Sequence, residues 1–366
     1  MKQRQSIYIL MAAAAAIIVA GIIAYTAIVG TNQTINTQKA EDNEVTQESD
    51  DSQIDKDEVE VEYPFFITTM THMEGNWDFT IDSEDRFLDQ IDKLEFAMDI
   101  ADEYDATLTI ETEEPFARAN AKWDYNFMAE IFERGHGVGS HCDRGGSGNG
   151  TYDELVEELK LIKSLVDDLV GEKNNLGCSG AGSSIDWAQA LVEAGFKYVD
   201  GLVGFHMLAF PLSERPDGWD DLAIYNEFYH DNVPVEMEDR IHPLRLENTL
   251  DWDEDDTGIV VSSGQLGRLS FFSEGDRTEC MESGCDLEAD DVDKTVAQVI
   301  EAVELHDTSR IGKLTFYIPT SEMIEENEVV LRYFFSEMQK LEEAGMVEWA
   351  SQVEVYEAFV DWEKAQ

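Results

Sequence analysis

The chain begins with one long apolar run, residues 7–29, and beyond residue 62 changes to short apolar stretches that alternate with amphipathic ones. The first run, centred on residues 12–19, is long enough at about 1.5 Å per residue to cross a hydrocarbon core of about 30 Å. Lys2 and Arg4 precede it and acidic residues follow, so the positive-inside rule predicts a cytoplasmic N-terminus, with the bulk of the chain outside. We expect a single-pass signal anchor in the cell membrane rather than a cleaved signal peptide, whose apolar core is shorter and ends at small residues. Residues 30–62 are rich in Thr, Asn, Gln, Asp and Glu, and read as an acidic disordered tether.

From Tyr63 onward the pattern predicts strand and helix in turn. Phe65-Phe66-Ile67-Thr68-Thr69-Met70-Thr71 is a buried strand. Ser83 caps a helix with Phe87, Ile91, Leu94, Met98 and Ala101 on one face. Residues 107–110 are a second strand, and 122–134 a second helix with Phe127, Ile131 and Phe132 inward. A glycine-rich third strand, Gly135-His136-Gly137-Val138-Gly139-Ser140-His141, follows. Thr151 caps a long helix, 175–178 is a fourth strand, Ser184 caps the helix 185–194, and 196–200 is a fifth strand. Residues 201–252 are irregular, and loops of that length are commonly functional. Strands at 258–262 and 314–318 each lie near a helix, at 292–305 and 329–341. Repeated βα units of this kind predict one α/β domain over residues 63–366, a parallel sheet closed or nearly closed, with helices outside it.

Charge narrows the partners. The formal net charge is −54, from 79 acidic and 25 basic side chains. Residues 1–62 hold 11 acids and 4 bases, so most of the excess lies on the folded part. Such a surface repels nucleic acid, and it suits a high-salt environment, where screening relieves self-repulsion. No Gly-x-Ser-x-Gly elbow, phosphate loop or dinucleotide fingerprint is present, which leaves serine-hydrolase, NTPase and NAD chemistry without support. Four cysteines outside the membrane form a disulfide-permissive set. Cys280 and Cys285 share one polar loop and are expected to bridge. Cys142 and Cys178 each follow a strand, and they meet if those strands are neighbours.

Chemistry is expected at strand tips. His72 and Glu74, two residues apart, share a face at the end of the first strand, and His141 ends the third. Together they form a candidate three-ligand metal site, with a position left for water as in catalytic zinc centres. Asp143 is the candidate base. His242, fixed by Pro243 and followed by Arg245, is a second catalytic candidate. Arg245, Trp219 and Trp252 are expected at the substrate, the tryptophans stacking on sugar faces. His136, at the opposite strand end from His141, is read as structural.

These segments resemble the polysaccharide deacetylase superfamily. Gly135 to His141 is similar to that family's Gly-His-Glu-Ile-Gly-x-His segment, whose last His is a metal ligand, and Thr71-His72-Met73-Glu74-Gly75 to its acidic first-strand motif. Residues 190–200, and 347–350 with Val355, Tyr356 and Trp362, are similar to later segments. The resemblance implies a distorted (β/α) barrel and removal of acetyl groups from N-acetylated glycans with a divalent metal, zinc being the expected ion. The chain departs from the pattern at three places. Gly145 stands where a second metal His is usual, Cys178-Ser179-Gly180-Ala181-Gly182 has no Arg, and residues 314–320 end without a His. His72 replaces a lost ligand in this reading, and Arg245 stands in for the lost Arg. The expectation is a metal-dependent deacetylase acting on glycans outside the cell. Its alternative is an inactive barrel on the cell surface that binds glycan or an envelope component.

Overall fold

The computed structural model describes residues 62–74, 80–143, 150–234, 236–262, 264–271 and 286–366. The apolar run at 7–29, the tether, and Cys280 and Cys285 lie outside the described residues. Among the described residues no helix is long and apolar enough to cross a membrane.

Strand β1 (Phe65–Met73) is the axis of the fold. Its β-branched and aromatic residues are buried on both faces, the habit of a strand inside a parallel sheet. Three strands pair with it, all parallel. Strand β2 (Thr109–Thr112) takes its upper part through Thr71–Met73, β9 (Gly312–Tyr317) runs along Phe65–Met70, and β10 (Glu348–Trp349) meets Phe66 and Ile67 at the base. The sheet continues from β2 through β3 (Gly137–His141), β4 (Gly177–Ser179), β5 (Tyr198–Asp200) and β7 (Ile259–Ser262) to β6 (Leu244–Leu246), which alone is antiparallel to its neighbour. On the far side of β9 lies β8 (Gln265–Arg268).

Only two residues separate β7 from β8, so one piece of chain lies near both ends of the sheet, against β5 and then against β9. The carbonyl of Gly264, inside that join, accepts from the Thr315 amide at 2.7 Å. The result is a curled mixed sheet, an incomplete barrel, where the sequence predicts a parallel sheet closed or nearly closed. The antiparallel β6 is what makes the sheet mixed. It arises inside the loop 201–252, which also holds short helices at Asp221–Ala223 and Met237–Arg240.

Helices pack outside the sheet. In α1 (Glu84–Asp102) the Ser83 side chain accepts from the Arg86 amide, and all five predicted core positions are buried. Of the helix expected over 122–134 only the later part forms, as α3 (Phe127–Glu133), and a helix the sequence reading did not give, α2 (Glu114–Lys122), ends where the expected one begins. Asp124, with φ 53°, turns the chain between them, and the buried Asn120 side chain accepts from the amides of Phe127 and Met128. Phe132 consequently faces outward, 42% exposed. Thr151 and Glu154 close a capping box on α4 (Tyr152–Val170). Helices α5 (Trp187–Ala194), α6 (Ala289–Leu305), α7 (Glu328–Glu343) and α8 (Gln352–Ala365) complete the outer layer.

The interior of the curl is polar at its centre. Lys313 and Asp200 form an ion pair at 2.6 Å with no solvent exposure on either side chain. Gln352 donates to Thr68 and Thr315, whose hydroxyls lie 2.7 Å apart. Glycine makes the space: a Cβ on Gly177 would meet the ring of Tyr198 at 1.9 Å.

Candidate metal centre

The register of three neighbouring parallel strands builds the site. His72 on β1 lies opposite Glu111 on β2, which lies opposite Gly139 on β3. Side chains alternate along a strand, so the next row on the same face is two residues on. That row is Glu74, Glu113 and His141, one residue from each strand or its exit. The Glu113 amide continues the ladder, donating to the Met73 carbonyl at 3.2 Å. Gly139 contributes no side chain to the lower row, and its missing Cβ leaves the room that Glu111 occupies.

His72 and His141 stack with ring centroids 3.7 Å apart. One ligand atom from each of His72, Glu74 and His141 lies within 4.8 Å of the others. His141 Nε2 is 3.7 Å from a Glu74 oxygen and 4.0 Å from a Glu113 oxygen. Its Nδ1 is hydrogen-bonded to Ser179 Oγ at 2.8 Å, which fixes the ring and leaves Nε2 toward the carboxylates. His72 Nε2 is buried without a hydrogen-bond partner, 3.5 Å from a Glu111 oxygen.

Burial sets the charge states. It pulls the His72 imidazole down to about 3, against the attraction of Asp143. His141 is lowered by burial and then by the neighbouring His72. Burial pushes Glu111 up to about 8, opposed by Ser179 and Lys313. Glu113 is pushed to about 8 by burial first and then by repulsion from Glu74 and Asp143. Both imidazoles are therefore neutral at pH 7, the form that binds a metal ion. Two neutral imidazoles, one of them with an orphaned buried Nε2, and a carboxylate fit a divalent ion with nitrogen and oxygen ligands.

The cluster opens into a cavity of about 320 Å³, at the small end of the range for small-molecule sites. Phe205, Phe271 and Tyr317 supply its apolar lining, and Asp143, His230, Asn232 and Arg268 its polar groups.

No family model and no curated protein matches the sequence. Solved structures do match in shape. A putative polysaccharide deacetylase from Mycobacterium smegmatis aligns with a TM-score of 0.55 at 12% identity, over 87% of this chain and 96% of that one. The chain has the polysaccharide deacetylase fold. A probable polysaccharide deacetylase from Pseudomonas aeruginosa PAO1 has a TM-score of 0.50 at 11% identity, covering 81% and 91% of the two chains. The PuuE allantoinase is also similar, with a TM-score of 0.52, 12% identity, and coverage of 81% and 90%.

Within this deacetylase fold the structure brings some of the expected residues together and separates others. His72, Glu74, His141 and Asp143 line one cavity. Cys142 and Cys178 form a disulfide between the ends of β3 and β4, with Cα atoms 6.1 Å apart. His242, expected at the catalytic centre, lies instead at the base of β9. Its Nδ1 is 3.0 Å from the Ile311 carbonyl, and its Nε2 accepts from the Asp307 amide. His72 packs against Tyr317, six residues further up that strand, about 20 Å at 3.3 Å per residue.

Arg245 does not stand in for the missing arginine. It makes a two-pronged ion pair with Glu363 on α8, at 2.6 and 2.7 Å. The basic side chain that lines the cavity is Arg268, paired with Glu322 at 2.5 Å. Trp219 is buried and stacked on Phe228 at 4.8 Å, and Trp252 is stacked on Phe210 at 4.1 Å. Neither lines the cavity beside His72.

Sequence reasoning passed over Glu111, Glu113 and Arg268, and gave His230 no catalytic role. A signal existed for the first two. Glu111 and Glu113 repeat the two-residue spacing of His72 and Glu74 at the end of an apolar strand. His230 and Arg268 come from loop and strand segments whose position depends on the whole curl.

Proposed function

We propose that this chain is a metal-dependent hydrolase of the acetamido group on N-acetylated glycans, held at the outer face of the cell membrane by residues 7–29. The observation that carries the reading is the convergence of His72, Glu74 and His141 at the upper ends of β1 and β3, inside one cavity of a deacetylase-fold barrel. A bound divalent ion supplies Lewis-acid polarisation of the scissile carbonyl and acidifies water. The chain's own residues do the rest. Ser179 holds the His141 ring in one orientation through Nδ1, leaving its Nε2 for the ion. Asp143, on the exit of β3, lines the cavity as the base that takes a proton from the attacking water. Phe205, Phe271 and Tyr317 offer apolar surface to the carbon face of a sugar ring.

The test is acetate release from N-acetylglucosamine oligomers by the purified full chain in molar salt, with and without added Zn²⁺. Metal-dependent release that is abolished by Glu74→Ala and His141→Ala supports the reading. Glycan binding without release, unchanged by those substitutions, would establish the alternative of an inactive glycan-binding barrel.

A further inference from the structure

The upper row of the site has three members, and the middle one has no role in the three-ligand reading. Glu113 sits between Glu74 on β1 and His141 on β3, because β2 is the strand between those two. Its carboxylate oxygen is 4.0 Å from His141 Nε2, against 3.7 Å for Glu74, so the two carboxylates flank the same imidazole nitrogen almost equally. Two donors on one ion, each at about 2.0–2.2 Å, lie roughly 3–3.6 Å apart. The Glu113–His141 separation is about 0.4–1 Å longer than that, and Glu113 lies outside the 4.8 Å group formed by His72, Glu74 and His141, so it must move inward to share the ion. Glu113 is also the less exposed of the pair, at 12% against 32% for the side chain.

We propose that Glu113 is a fourth protein ligand, so that the ion is held by two imidazoles and two carboxylates: His72, His141, Glu74 and Glu113. This inference rests on the metal-site reading above and extends it. It has a consequence for the ion. Four protein donors fill a tetrahedral zinc, leaving no position for water. A hydrolytic site with this donor set therefore works with a five- or six-coordinate divalent ion.

The experiment loads the full chain with Co²⁺, whose visible absorption is strong when four-coordinate and weak when six-coordinate. The proposal expects weak, high-coordination absorption in the wild type. In Glu113→Gln it expects binding at least about tenfold weaker, with a changed spectrum and an unchanged melting temperature of the metal-free protein. A crystal structure of the Co²⁺-loaded wild type, which needs no variant, should show a Glu113 oxygen bonded to the ion. Wild-type affinity and spectrum in Glu113→Gln, with binding lost in Glu74→Gln and His141→Ala, would overturn the fourth ligand and leave the three-ligand site standing. Absence of Co²⁺ binding by the wild type would overturn both.

Discussion

Replacing Lys313 with methionine should destabilise the protein in a way that depends on pH. Lys313 and Asp200 meet at 2.6 Å in the middle of the curl, neither side chain exposed, and the ammonium also donates to the Ser262 carbonyl at 3.0 Å. Burial pushes the Asp200 carboxyl up to about 7, with Lys313 opposing. Methionine keeps most of the volume but removes the partner of a buried charge, which costs about 3–5 kcal/mol. At roughly 2–4 °C per kcal/mol for a domain of this size, the melting temperature should fall by about 6–20 °C. The variant can escape by protonating Asp200 in the native state. Its folded pKa then stands above the ordinary 3.8, and the native state holds one more proton than the unfolded chain. Stability is fully present below 3.8 and declines with rising pH by about 1.4 kcal/mol per unit, up to the folded pKa. Thermal melts of both proteins at pH 5 and pH 8 read this directly: the gap should be wider at pH 8. Adding Asp200→Asn should recover most of the loss. An equal gap at both pH values, or a double variant no better than the single, would refute the reasoning.

Three further outcomes follow from charge and covalent structure. With a net charge of −54, the melting temperature should rise strongly between about 0.1 and 1 M salt, where the Debye length falls from about 10 to 3 Å, and a flat response would remove the salt-adaptation reading. Burial pulls His136 down to about 4, so the stability it contributes is complete above 6.5 and is lost as pH falls toward 4, amounting to about 3 kcal/mol. His136→Asn should flatten that part of an acid-denaturation curve, and an unchanged slope would count against it. Opening the Cys142–Cys178 bridge, which spans 36 positions, by paired serine substitution should cost about 3–4 kcal/mol in chemical denaturation, and an unmoved midpoint would mean that the bridge adds nothing.

The repeating units and the three-ligand cluster could be read from the chain because both depend on local periodicity. Apolar spacing marked α1 and β1, and the two-residue step from His72 to Glu74 put both on one face before any register was known. His141 followed because a strand ends there. What stayed hidden depended on register and on long-range packing. Glu113 becomes central only when β2 is known to lie between β1 and β3. Asn120, outside the helix expected from the sequence, ties α2 to α3 by accepting from the amides of Phe127 and Met128. Arg245 and His242 looked catalytic because Pro243 fixes the chain beside them, yet the antiparallel β6 carries them to α8 and to the base of β9. The disulfide was conditional on two strands being neighbours, and β3 and β4 are.

The central claim is that His72, Glu74 and His141 hold a divalent ion. Metal content of the full chain, purified in molar salt and compared with His141→Ala, tests it most directly. The account predicts one equivalent of a transition metal in the wild type and a loss of that ion in the variant. Metal at background level in the wild type, or one equivalent retained without His141, would contradict it.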